Sequence, residues 1–155
     1  MESKEHKLRL LVVEDNLANQ TLLRYYLGDT FELELVGRFD EALLVAAKRR
    51  FDVFLLDIDL GEPRTGVELL RALRQMLAYT ATPAVTCTAH TRPGARERLL
   101  ASGFDAYVGK PFTKEELLDT LHTVLARSGP SGPQLSLVLR RRNFILSDPR
   151  CATRI

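Results

Sequence analysis

Apolar residues recur along the chain in five short runs, each followed by a segment with helical spacing. Leu8–Val13 is the first run and halts at Glu14-Asp15-Asn16. Phe31–Val36 differs, alternating apolar with acidic residues as a more exposed edge strand does. Phe51–Leu56 runs into Asp57 and a loop rich in Gly and Pro, and reads as a strand buried on both faces of a parallel sheet. Pro83–Thr88 leads into Ala89-His90, and the short Asp105–Val108 into Gly109-Lys110-Pro111.

The intervening segments predict helices. Leu17, Thr21, Leu22 and Tyr25 have helical spacing over Leu17–Leu27, with Gly28 closing the element. Asp40–Arg50 reads as a short Ala/Leu-rich helix. Thr65 and Glu68 form a capping box ahead of a stripe of Leu69, Leu70, Leu73, Met76 and Leu77. Pro93 suits the first turn of a helix ending at Gly103. Thr113 and Glu116 make a second capping box, with Phe112 and Leu117 as its hydrophobic staple, and Leu118, Leu121, Val124 and Leu125 extend that apolar face.

Five strands alternating with five helices predict an α/β fold: a doubly wound parallel sheet with helices on both faces and right-handed crossovers. In such a sheet the strands' carboxyl ends share one edge, where open α/β folds bind ligands. Glu14 and Asp15 follow the first strand, Asp57 the third and Lys110 the fifth, while Thr88 ends the fourth. These side chains should therefore converge.

Composition narrows the setting. The 155 residues, 45% hydrophobic and 27% charged, allow one globular domain with a sizeable core and a short appendage. No apolar stretch approaches the roughly 20 residues that span a bilayer. The charged segment Met1–Lys7 lacks the apolar core of a signal peptide, so a cytoplasmic location is expected. Two cysteines, Cys87 and Cys151, make no disulfide framework. Charge is uneven: residues 128–155 hold five arginines and one acid, +4, whereas residues 1–127 hold 17 basic and 19 acidic side chains, −2. The body thus has no global field for nucleic acid.

Three carboxylates in one pocket repel; two like charges at about 4 Å cost roughly 4 kcal/mol at an effective dielectric near 20. Lys110 supplies one compensating charge and a divalent cation is the natural second source. An all-oxygen donor set suits Mg²⁺, and the histidines at 6, 90 and 122 show no zinc-ligand spacing. A carboxylate beside Mg²⁺ can act as a nucleophile toward phosphorus, with Lys110 neutralising charge and the Thr88 hydroxyl hydrogen-bonding a phosphoryl oxygen.

These residues resemble the receiver domain of two-component response regulators over about residues 8–127. Val13-Glu14-Asp15-Asn16 is similar to its acidic metal-binding motif, Leu55-Leu56-Asp57 to its phosphoacceptor strand, Thr86-Cys87-Thr88-Ala89 to its switch motif, and Tyr107-Val108-Gly109-Lys110-Pro111-Phe112 to its Lys-Pro motif. The resemblance implies a flavodoxin-like, CheY-like strand order 2-1-3-4-5. It implies phosphorylation of Asp57 from a histidine kinase or a histidine phosphotransfer protein, and Mg²⁺ held by Asp15, Asp57 and the backbone carbonyl of Asp59, with Glu14 assisting. It further implies that Thr88 and Tyr107 move together on phosphorylation, remodelling the face of the last two helices and last strand toward a downstream protein target. The Lys110–Pro111 peptide is expected to be cis. Asp59 and His90 fall where side chains flank the phosphoryl group and tune its loss. Val13-Glu14-Asp15-Asn16 with Asn19-Gln20 looks more like receivers of hybrid kinases and phosphorelays than those of transcription factors. The loop Leu60-Gly61-Glu62-Pro63-Arg64-Thr65-Gly66 departs from the Met-Pro and Asp-Gly that many receivers carry there.

The main enzyme alternative is a haloacid-dehalogenase-like phosphatase, because Asp57-Ile58-Asp59 imitates that family's Asp-x-Asp motif. There the metal-binding acidic pair comes last, whereas Glu14-Asp15 comes first here, and no cap domain fits. A flavin binder of similar architecture would need a Ser/Thr/Gly phosphate cradle after the first strand, which is lacking. The expected function is therefore a single-domain phosphoacceptor, not an enzyme beyond its own phosphorylation and dephosphorylation, signalling by protein contact without nucleic acid or membrane. The domain is placed at 1–127 and a linker with a basic extension at 128–155. There Gly129–Pro133 reads as linker, Gln134–Leu139 as a strand and Phe144–Leu146 as its hairpin partner. The extension is either a docking or homodimerisation arm or a segment without a role.

Overall fold

The computed structural model describes residues 6–128; the predicted extension strands and arginines lie outside the described residues. Five strands form one parallel sheet in the order β2-β1-β3-β4-β5, with β1 Arg9–Val13, β2 Glu32–Val36, β3 Val53–Leu56, β4 Ala84–Thr88 and β5 Ala106–Gly109. The helices are α1 Leu17–Leu27, α2 Phe39–Lys48, α3 Gly66–Arg74, α4 Ala95–Ala101 and α5 Lys114–Arg127, with a 3₁₀ turn at Leu77–Tyr79. This is the predicted flavodoxin-like α/β architecture. The alternating strand β2 is an edge strand, as its pattern requires.

Period-two alternation divides the core. Leu10, Val12, Val53, Leu55, Val85 and Cys87 pack under α1 and α5, against Leu23, Leu27, Leu117, Leu121, Val124 and Leu125. Leu11, Val13, Phe54, Leu56 and Ala84 pack on the opposite face against α2, α3 and α4. Both capping boxes form as predicted at Thr65/Glu68 and Thr113/Glu116.

Three local expectations need correction. In α1 the face carrying Leu17, Thr21, Leu22 and Tyr25 points outward, with Leu17 and Tyr25 each 76% exposed; Leu23 and Leu27 enter the core instead. The helix has apolar residues on two faces, so spacing alone does not select one. Gly28 closes α1 as expected, in a right-handed conformation (φ −63°) with its N–H donating to Arg24 O. The α3 stripe stops early: the helix ends at Arg74 and Leu77 is 91% exposed. Pro93 precedes the α4 N-cap, where Gly94 takes a left-handed φ of 82° and the helix starts at Ala95.

The 3₁₀ turn carries a core residue that the pattern does not single out. The Tyr79 ring packs edge-on against Phe54, and its hydroxyl donates to the Ala46 carbonyl at 2.7 Å and also to that of Arg49. These carbonyls belong to the last turn of α2, where backbone acceptors lack helical partners.

Candidate functional site

Strand register builds the site. Val13 pairs with Leu56 across β1 and β3, and Thr88 with Gly109 across β4 and β5. The next residues, Glu14, Asp57 and Lys110, therefore stand one rung past the ladders. Each is fixed by a backbone bond: Glu14 N donates to Val36 O at 3.0 Å, Asp57 N to Val13 O at 3.0 Å and Lys110 N to Thr88 O at 2.9 Å. Their side chains continue the α1/α5 parity of Val12, Leu55 and Val108, so they meet on one face.

Lys110 Nζ lies 2.7 Å from both Glu14 Oε2 and Asp57 Oδ2, beneath a nearly closed surface: Glu14 is 2% and Asp57 7% exposed. Burial alone would depress the lysine's pKa. Hydrogen bonds to Asp57 and Glu14, and their charges, outweigh it and raise the pKa above its ordinary 10.5. The second oxygen of Glu14 accepts from Asn16 N at 3.0 Å, and Gln20 Nε2 donates to the Glu14 carbonyl at 2.6 Å. Gln20, read in the sequence only as part of the motif after β1, thereby pins the peptide that leads into Asp15.

Glu14, Asp15 and Asp57 each bring a carboxylate oxygen within 4.8 Å of the others. The lysine pairs with two of the three. Asp15 has its pKa raised above the ordinary 3.8, first by partial burial and then by the hydrogen bond and charge of Glu14. The donors are all oxygen and carry more negative charge than Lys110 neutralises, which fits a hard divalent cation such as Mg²⁺. Gly61 (φ 65°) packs against Asp15; a Cβ there would lie 2.9 Å from Asp15 Oδ2. Gly66 allows α3 to start against the phosphoacceptor-candidate backbone: its N–H donates to Ile58 O at 2.9 Å, and a methyl would overlap the Asp57 carbonyl oxygen.

Thr88 and Tyr107 connect through the backbone of a single residue, His90. Thr88 is fully buried, and its Oγ1 accepts from His90 N at 3.2 Å. Tyr107 Oη donates to the carbonyl of the same His90 at 2.9 Å. The exposed loop residue His90 thus joins Thr88 to Tyr107 through its backbone. Asp59 is exposed, with its N–H 3.3 Å from Asp57 Oδ1 and its own Oδ1 accepting from Gly61 N at 3.1 Å. The Lys110–Pro111 bond is cis, as expected. Cys87, directly under the site, is buried and its thiol is pushed up to about 12, first by burial.

An acidic pocket at the carboxyl edge of a doubly wound sheet, bridged by a lysine from the last strand's end, defines a class of CheY-like signalling modules. The chain belongs to the response regulator receiver domain family, whose model matches residues 10–122. It is 38% identical over 133 residues to the phosphate regulon transcriptional regulatory protein PhoB of Rhizobium meliloti, covering 85% of this chain and 57% of that protein. Among solved structures, chemotaxis protein CheY4 of Vibrio cholerae matches with a TM-score of 0.71 at 33% identity, over 76% of this chain and 98% of that one. The receiver domain of a sensor histidine kinase from Pseudomonas aeruginosa, described with a magnesium ion coordinated in its active-site cleft, matches at 0.70 and 30% identity, over 77% and 98%. The chain spans about half the length, or less, of curated relatives it matches. No helix among the described residues is long and apolar enough to cross a membrane.

Proposed function

We propose that Asp57 is the phosphoacceptor of a Mg²⁺-dependent signalling switch, charged by the phosphohistidine of a histidine kinase or phosphotransfer protein. The observation that carries this reading is the 2.7 Å contact of Lys110 Nζ with both Asp57 and Glu14 inside a buried acidic pocket. Asp57 oxygen attacks phosphorus; the O–P bond forms, the N–P bond breaks, and the imidazole leaves with that electron pair and takes a proton. Asp15, Asp57 and the Asp59 carbonyl, with Glu14 alongside, would hold Mg²⁺, which supplies positive charge against the carboxylates and the transferred group's oxygens. Lys110, in contact with the Asp57 carboxylate, balances charge as it builds on the transferred group. Water attack on the acyl phosphate returns the carboxylate and releases phosphate, with Asp59 and His90 at the mouth to tune that step.

Thr88 turns toward the phosphoryl group and gives up its bond to His90 N, which loosens the peptide holding Tyr107 and remodels the α4-β5-α5 face. That face meets a downstream protein target. We place the working domain at residues 1–127 and assign 128–155 to a basic arm for docking or homodimerisation. Acetyl phosphate with Mg²⁺ should add one phosphoryl group to the intact mass of the wild-type chain and none to Asp57→Asn. An unchanged mass gain in Asp57→Asn would move the site elsewhere, and sustained turnover of soluble phosphomonoesters would favour a phosphatase.

A further inference from the structure

Residues 57–65 belong to no helix or strand, although Asp57 and Asp59 within them are central to the metal reading. The inner half of this loop bonds mainly to itself, through Asp59 N to Asp57 Oδ1 and Gly61 N to Asp59 Oδ1. The outer half reaches to the start of α2. The Arg64 guanidinium carbon sits 4.0 Å from the centre of the Phe39 ring, and its Nη2 lies 2.9 Å from Asp40 Oδ1 and 3.7 Å from Glu62 Oε1. Glu62 also faces Arg38 Nε at 3.9 Å. Phe39 is a core residue, 6% exposed, so Arg64 caps a fixed platform and not a mobile ring. Only a planar guanidinium can stack on that ring and reach a carboxylate edge-on at once; a lysine offers a point charge.

Two loop residues, Glu62 and Arg64, are thus tied to residues 38–40, and the Gly61 backbone is pressed against the Asp15 carboxylate. We propose that Arg64 is a positioning residue for the metal-binding loop, holding Asp59 at the height where its carbonyl completes the Asp15–Asp57 oxygen set. The proposal rests on the reading of the acidic cluster as a Mg²⁺ site. Arg64 touches neither the metal donors nor the phosphoryl group; it acts by ordering the loop before the cation arrives. It also accounts for the unusual Leu60–Gly66 sequence, which replaces the expected turn residues with an anchored excursion.

The sign of the effect separates this role from simple electrostatics. Arg64 carries positive charge near an acidic pocket, so through charge alone its removal tightens Mg²⁺ binding. Loss of an anchor weakens it. Mg²⁺ titration by calorimetry of the full chain should give Arg64→Gln about fivefold weaker than wild type, the scale of one exposed cation–π contact plus a surface ion pair. Arg64→Lys, which keeps the charge and loses the stack, should be about two- to threefold weaker, and it carries the test if Arg64→Gln folds poorly. Urea unfolding in EDTA reports whether each variant is folded. Affinity for Mg²⁺ that is unchanged or tighter in Arg64→Lys overturns the inference while leaving the metal site intact. A wild-type chain that takes no Mg²⁺ overturns the metal reading itself, and this inference with it.

Discussion

Replacing Lys110 by Met keeps an unbranched, flexible side chain of nearly the same reach, one atom shorter, and removes its charge. Two carboxylates then face each other in a pocket where Glu14 is 2% and Asp57 7% exposed, with their oxygens within 4.8 Å. At that separation and an effective dielectric near 20, the repulsion alone is about 3.5 kcal/mol. Mutational experience with one partner removed from a buried ion pair gives about 3–5 kcal/mol. Both routes reach the same scale, a large share of a stability of roughly 5–15 kcal/mol. In the variant a proton or a cation can take the lysine's place, so the loss should depend on both. Lys110 itself does not titrate in the acid-to-neutral range: its raised pKa means its contribution is complete below its ordinary 10.5 and is lost only as pH rises through the folded value. Urea unfolding of wild type and Lys110→Met should therefore differ by about 3–5 kcal/mol at about pH 8 in EDTA, and by less at about pH 5. Added Mg²⁺ should shrink the gap at the higher pH. A difference equal at both pH values and blind to Mg²⁺ would mean that Lys110 contributes packing and not charge, and the electrostatic account of the pocket would fail.

Three further outcomes follow from single contacts. Gly66→Ala forces a methyl onto the Asp57 carbonyl oxygen and within 2.9 Å of its carbonyl carbon, so it should cost about 3 kcal/mol or more in urea unfolding; a loss below about 1 kcal/mol would show that α3 can shift freely. Tyr79→Phe strips the α2 carbonyls of Ala46 and Arg49 of their shared donor, for an expected loss of about 1–2 kcal/mol by the same measurement; an unchanged midpoint would mean water replaces the hydroxyl. The buried Cys87 thiol is raised from 9.0 to about 12, so the unfolded chain sheds its proton first and stability falls as pH rises through that window, by about 1.4 kcal/mol per pH unit at most. Cys87→Ala should flatten that alkaline decline, and a profile as steep as the wild type's would assign it wholly to other groups such as Tyr79 and Lys110.

The elements that the sequence makes legible are those set by short-range pattern. Unbroken runs such as Val53–Leu56 announce doubly buried strands, and parallel register then carries Glu14, Asp57, Thr88 and Lys110 to one edge without further information. Both capping boxes are equally local. What escapes the sequence is set by approach between distant segments. Gly66 looks like any helix-opening glycine until α3 meets the Asp57 carbonyl, and Tyr79 looks like a surface aromatic until its hydroxyl finds the end of α2. Arg64 is one of many arginines, and its ring platform, Phe39, lies on the other side of β3 in sequence. In α1, apolar residues on two faces gave periodicity no means to choose, and packing against α5 and the sheet decided for Leu23 and Leu27.

The account stands most directly on which carboxylate bears the phosphoryl group. After treatment with acetyl phosphate and Mg²⁺, borohydride reduces an acyl phosphate to the alcohol, and peptide mass mapping then reads the position. The account predicts homoserine at Asp57 alone, absent when Mg²⁺ is removed by EDTA. Reduction found at Glu14, Asp15 or Asp59, or at Asp57 regardless of Mg²⁺, would contradict it.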